Sequence, residues 1–406
     1  MPSYTELRQY VHERRFPHTR WQYALAQAEK DGFKRPADRM DFQEFIKSDP
    51  KLADAFLREK TFNLNEALNI LDFDAPPYFI FNRHDHLHSD RVNEIAHNLL
   101  DLLGDASPIE HTIVSTIAYL HDLGNLVRRK GHEKISQYFF YLLFQNFEET
   151  DPIVQSILQG IDLHNESSGL QLEDYAKIET AHRRSIWAVA AADKMDMAEN
   201  RLSKHLSEGE DLPAPREELV EKYPHMLIPL YTHDARFTFT SPTTAEFRVS
   251  FSTDSHRAED SITQEIQDRF TFIRKSSRRK STSLWVLTNW YDLSREHQDR
   301  YVHRLRALLT KLYAGDFAIM LSSIFALFEK LETVDIVVRD SNPQVRAYSG
   351  TTYDRNTWKN QIFFDWKQIY KAKHPDEDVT ADIVPPLLFS GYLADQARIE
   401  NERLET

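Results

Sequence analysis

Apolar residues recur every three or four positions through the N-terminal half of the chain, which is the signature of amphipathic helices. Short helices are predicted over 4–13, 21–30, 41–46, 52–59 and 64–71, punctuated by Pro17, Pro36 and Pro50. Ala75-Pro76-Pro77-Tyr78 marks a boundary. Longer helices follow. The segment 89–103 carries Val92, Ile95, Ala96, Leu99 and Leu103 on one face, with Ser89 or Asp90 as its cap. The segment 108–120 carries Ile109, Ile113, Val114, Ile117 and Leu120. Segment 132–147 is rich in aromatics, 152–163 aligns Ile153, Ile157 and Ile161, and 173–202 passes through Ala188, Ala190, Ala191 and Ala192. From about His225 the period changes to near-alternation over 227–231, 235–240 and 245–252, which predicts a small antiparallel sheet. Helices over 259–273, 295–313 and 317–331 and strands over 283–288 and 334–338 come next, and the tail from Asn342 reads as irregular. The expected fold is mainly α: a helical N-terminal cap over 1–75, an all-helical bundle over 76–205, and a smaller α+β accessory region over 206–406.

Composition narrows this picture. A chain of 406 residues favours two or three domains. A net charge of −13 argues against binding along extended nucleic acid, which needs a basic footprint. There is no cysteine, so disulfides, thiolate catalysis and Cys-ligated zinc are excluded, and any metal must be held by His, Asp and Glu. No signal peptide is visible, since residues 1–20 are polar and charged. The most apolar run, 317–328, is too short to span a bilayer and is interrupted by Ser322 and Ser323. A soluble, cytoplasmic protein without membrane contact is expected. Its oligomeric state stays open.

The candidate chemistry centres on Leu120-His121-Asp122-Leu123-Gly124. Gly124 is placed to end the helix before it, so His121 and Asp122 emerge from its last turn. Neighbouring helical residues point about 100° apart, and the pair can approach one ion from two sides. Similar residues stand at the ends of other predicted helices: His84-Asp85-His86-Leu87-His88-Ser89-Asp90-Arg91-Val92, Gly131-His132-Glu133, Asp162-Leu163-His164-Asn165, and Ala191-Ala192-Asp193-Lys194-Met195-Asp196. Imidazole with carboxylate suits Mn, Fe, Co, Ni or Zn, with Mg a poorer match. His84, His86 and His88 compete for one position, and Asp193 competes with Asp196. Cations gather nearby in sequence at Arg91, Arg128, Arg129, Lys130 and Lys194.

In their order and spacing these motifs resemble the HD superfamily of metal-dependent phosphohydrolases, in its two-metal form. The resemblance covers residues 84–197, under a third of the chain. His-Ser-x-Arg-Val at the entry of the first helix favours His88, and Ala-Asp-Lys favours Asp193. The resemblance then implies one metal on His88, His121, Asp122 and Asp193, and a second on His132 and His164 with Asp122 bridging, so that one or two divalent ions are bound. It implies an all-helical HD bundle and a phosphohydrolase or phosphodiesterase acting on a nucleotide or another phosphorylated small molecule through metal-activated hydroxide. Asp122 and Lys194 would be catalytic, and Arg91, Arg128, Arg129, Lys130 and Lys194 would meet the substrate's charge. Many family members read His-Asp-x-Gly-Lys, whereas Asn125 stands here where that lysine would be. The Gly-Tyr-Pro signature of the cyclic-dinucleotide branch is absent after Gly131-His132. Competing readings are a di-iron oxygenase resembling myo-inositol oxygenase, an HD-type nuclease using the basic loop at 275–280, and a regulatory module that has lost catalysis. His97, His111, His182, His205, His225, His233 and His256 fall outside the pattern and read as surface or structural.

Overall fold

A computed structural model describes residues 39–70, 86–126, 132–164, 178, 180–197, 232–251, 314–340 and 349–362. The expected elements at 4–13, 21–30, 227–231, 259–273, 283–288 and 295–313, the loop at 275–280, and Arg128, Arg129 and Lys130 lie outside the described residues. Among the described residues, those up to Asp196 together with Ile319–Glu329 form one compact unit. Met197 and the remaining C-terminal residues belong to a second.

The first unit is helical. Helix α1 (Phe42–Ile46) starts at Asp41, whose carboxylate accepts the Glu44 N–H at 3.0 Å. Helix α2 (Pro50–Ile70) is one continuous helix where two were expected, with Pro50 at its first turn, where a missing N–H costs nothing. Helix α3 (His86–Asp101) begins earlier than expected, so His88 lies inside its first turn rather than before it. Asp90 does not cap it. Its carboxylate instead receives Arg58 (Nη2–Oδ2 2.8 Å) and the Tyr119 hydroxyl at 2.8 Å. Helix α4 (Pro108–Leu120) matches its predicted bounds and starts with a capping box between Ser107 and Glu110.

Helix α4 is the centre of this unit. Ile113, Val114, Ile117, Ala118 and Leu120 are fully buried, and α2, α3 and the helices at 152–163 and 183–195 all pack against it. Each buried Ile, Val or Leu side chain among them contributes about 1.5–3 kcal/mol. A short 3-10 turn, Leu123–Leu126, follows. Helix α5 (His132–Leu143) stops before the expected 147, because strand β2 (Phe144–Gln145) pairs in parallel with strand β1 (Met40–Asp41). Asn146 then adopts a φ of 58° and bonds Asp41. The Phe42 ring meets those of Phe140 and Phe144 edge to face at 5.6 and 5.4 Å and closes this corner. Helix α6 (Pro152–Leu163) matches its predicted bounds. Helix α7 (Arg183–Met195) is shorter than the 173–202 expected. It packs on α3, α4 and α6 through its run of alanines.

Helices α4 and α7 are also tied by charge. Arg184 holds Glu110 through two bonds of 2.7 and 2.8 Å, and the Ser185 hydroxyl donates to the Glu110 carbonyl. Burial pushes the Glu110 carboxyl up, but Arg184 and the Ser107 donors more than offset this and hold it below its ordinary value of 4.5. A depressed carboxyl stabilises the fold above its unfolded value and loses that contribution as pH falls through the folded value. Glu110→Gln is therefore expected to lower the melting temperature at neutral pH. The gap to wild type should narrow as pH falls below about 4.5, measured by thermal denaturation over a pH series; a gap independent of pH would refute the linkage.

The second unit contains strands β3 (Thr232–Ser241), β4 (Thr244–Phe251), β5 (Thr333–Asp340) and β6 (Ser349–Asp354), in the order β3-β4-β5-β6. The strands at 235–240, 245–252 and 334–338 are present, but the sheet is mixed rather than antiparallel, because β4 and β5 run parallel. Parallel neighbours require a crossover; helix α8 (Ala314–Leu327) lies in the intervening chain, with Ala314–Ala318 in this unit and the rest in the first. Strand β6 falls in the tail that reads as irregular. Ala245, Phe247 and Val249 are buried in register with Val334, Ile336 and Val338, and Phe247 meets Phe317 of α8 at 6.2 Å. No helix among the described residues is long and apolar enough to cross a membrane.

Candidate metal centre

Five helix termini of the first unit carry the candidate residues. The first turn of α3 supplies His88. The end of α4 supplies His121 and Asp122. His132 opens α5, His164 caps the end of α6, and Asp193 lies in the last turn of α7. All six are buried, none more than 5% exposed. The structure thus brings together side chains spread over more than a hundred positions.

Asp122 lies between the imidazoles. Its Oδ2 is 3.1 Å from His121 Nε2 and 3.5 Å from His88 Nε2. Its Oδ1 is 3.3 Å from His132 Nε2 and 3.6 Å from His164 Nε2. Asp193 Oδ1 approaches His88 Nε2 at 3.3 Å and His121 Nε2 at 3.9 Å. His132 and His164 face each other, Nε2 to Nε2, at 3.0 Å. Among the described residues, two groups have ligand atoms close enough to share an ion: His88, His121 and Asp193, and His121, Asp122 and His164.

Protonation follows from the groups behind the rings. His121 Nδ1 lies 2.8 Å from the Ala118 carbonyl, and His164 Nδ1 lies 2.5 Å from the Ile161 carbonyl. A carbonyl only accepts, so both Nδ1 atoms carry a proton, and in the neutral ring this leaves each Nε2 lone pair facing inward. His88 Nδ1 lies 2.6 Å from Asp196 Oδ2, with the same consequence. Burial is the largest influence on His164 and pushes its imidazole below the ordinary value, so it stays neutral, as a ligand must be. His121 Nε2 is buried and makes no hydrogen bond among the described residues. Lone pairs and carboxylate oxygens converging on one buried point are acceptors that need a positive centre. The residues therefore fit a divalent ion of the kind that imidazole and carboxylate bind.

Comparison with family models, with curated proteins and with solved structures finds no match. What the chain offers is a buried His/Asp cluster that can hold a metal ion and is compatible with the HD-like motif.

The remaining candidates fall into distinct places. Lys194 stands beside the cluster, with Nζ 2.9 Å from Asp193 Oδ2. Arg91 is held by Asp196 through bonds of 2.7 and 3.0 Å. Asn125 donates to Asp122 Oδ1 at 2.8 Å and so braces the central carboxylate. His86 sets its ring against Phe62 at 4.7 Å, while His84 lies outside the described residues. His97 and His111 belong to a separate polar network between helices. Their Nδ1 atoms are 2.6 Å apart, and His97 Nε2 meets Ser115 Oγ at 3.0 Å. Burial, then His111, pushes His97 down to about 4, so it is neutral and structural.

Gly124 acts differently from expectation. It does not take the left-handed conformation of a helix C-cap; Gly104 is the only glycine among the described residues with positive φ. It permits a close approach instead. A Cβ on Gly124 would stand 1.9 Å from the His132 carbonyl oxygen. Ser136, one turn after His132, receives the Gly124 N–H at 2.8 Å and donates to the His121 carbonyl at 2.7 Å. Ser136 thus clamps the His-Asp turn to α5. The signal for it in the sequence is its spacing of four from His132, which puts both on one helix face.

Proposed function

We propose that this chain is a metal-dependent phosphohydrolase or phosphodiesterase of the HD type, acting on a nucleotide or a similar phosphorylated small molecule. The observation that supports it best is the division of Asp122. One oxygen lies toward His88 and His121, and the other toward His132 and His164. A carboxylate so placed suits two ions sharing one bridge, the arrangement used for in-line displacement at phosphorus. Ions bound there would polarise phosphoryl oxygens and make water a nucleophile near neutral pH. Asp122 joins the half-sites, and Asn125 orients it. Lys194, held at Asp193, supplies a cation for the charge that develops on the phosphoryl group. No protein nucleophile is needed.

The test is metal analysis of protein purified without chelator. A screen of mono-, di- and cyclic nucleotides with Mn, Co, Ni, Fe and Mg follows. Phosphate or nucleoside release that depends on metal supports the proposal. Protein that binds no metal, or iron-loaded protein that consumes O2 without releasing phosphate, would sink it. His164→Ala is expected to lower the bound ions from two per chain towards one, read by elemental analysis. An unchanged ratio leaves only a single-ion centre.

A further inference from the structure

The structure assigns Asp196 and Arg91 a joint role as positioning residues that set the orientation and proton of His88. This rests on the metal-centre reading above. Asp196 stands just past the last residue of α7, three positions after Asp193. Its side chain is 1% exposed, and Oδ2 lies 2.6 Å from His88 Nδ1. Arg91 grips the same carboxylate, Nε to Oδ1 at 2.7 Å and Nη2 to Oδ2 at 3.0 Å. Arg91 follows His88 by three positions on α3, so one helix face presents both the imidazole and the guanidinium. The three side chains close a triangle between the start of α3 and the end of α7.

The triangle has a chemical consequence. A carboxylate behind Nδ1 retains the proton there and keeps the Nε2 lone pair directed at Asp122 and Asp193. It also makes the imidazole a stronger donor. Among the described residues, His121 and His164 have backbone carbonyls rather than carboxylates behind them. A planar guanidinium with two parallel bonds fixes the carboxylate plane in a way a lysine cannot. Arg91 is thereby a residue that acts through Asp196 rather than one that contacts phosphate. Asp193 and Asp196, rivals for one ligand position in the sequence, take two successive positions: Asp193 faces the centre and Asp196 stands behind His88.

The test titrates apo protein with Co(II), followed by visible absorption, and with Mn(II), followed by electron paramagnetic resonance. Asp196→Asn is expected to weaken the ion on the His88 side about 10–100-fold and to change the Co(II) spectrum. Arg91→Lys should move the same two readouts in the same direction by less, and it serves if Asp196→Asn does not fold. Should both variants bind Co(II) like wild type, with Arg91→Lys raising only KM for a phosphorylated substrate, the positioning role is overturned and Arg91 is a substrate contact. Wild-type protein that binds neither ion overturns the metal-centre reading itself, which is a separable result.

Discussion

Replacing Asp122 with alanine is expected to abolish both metal content and turnover. Asp122 has one oxygen toward each pair of imidazoles. Its loss removes one anionic ligand from each half-site. Two unit charges 4 Å apart attract by roughly 4 kcal/mol at an effective dielectric of 20. That corresponds to about a thousand-fold in affinity, and a divalent ion in direct contact loses more. Asp122→Asn keeps the shape and removes the charge, so it separates the electrostatic loss from any cavity. Elemental analysis and the nucleotide screen, with circular dichroism as the check on folding, measure the outcome. A folded Asp122→Ala protein that retains metal and activity would eliminate Asp122 as the bridge.

The second large effect is expected at Gly124. An alanine Cβ there meets the His132 carbonyl oxygen at 1.9 Å, its carbon at 2.7 Å and the Ser136 nitrogen at 2.9 Å. All three are backbone atoms, which cannot rotate away. Helix α5 must shift at its first turn, and His132 and Ser136 move with it. Overpacking of this kind costs about 1–3 kcal/mol and at times more. For a domain of this size, each kcal/mol lowers the melting temperature by about 2–4 °C. Gly124→Ala should therefore melt about 6–12 °C lower if the full cost is realised, and it should bind the ion on the His132 side more weakly. Gly160→Ala is the contrast: its Cβ meets Ile117 Cδ1 at 2.4 Å, the end of a side chain that can change rotamer. Equal destabilisation by the two substitutions would contradict the backbone-contact account.

These contrasts show where local pattern suffices. Helices α4 and α6 begin at Ser107-Pro108 and Asp151-Pro152, where a cap residue and a first-turn proline act within a few positions. Their predicted bounds match. The bounds of α3, α5 and α7 differ for reasons that lie far away in the chain. Asp90 is taken by Arg58 and Tyr119 rather than by its own helix start. Phe144 is captured by Met40 in a parallel pair. Asp196 leaves α7 with its carboxylate bonded to His88 and Arg91. The mixed sheet has the same cause. Alternation marks each strand but does not say that β5 returns parallel to β4.

By itself, the sequence determined the donor types, the absence of thiolate and the placing of each His or Asp near a helix end, because these depend on residue identity and short-range periodicity. The tertiary structure decided which oxygen of Asp122 faces which imidazole, that Asp193 points inward while Asp196 stands behind His88, that Arg91 is bound to a carboxylate, and that Gly124 serves a close backbone approach. Each of these depends on distances between helices far apart in the chain, set by packing around α4, and no local pattern encodes such distances.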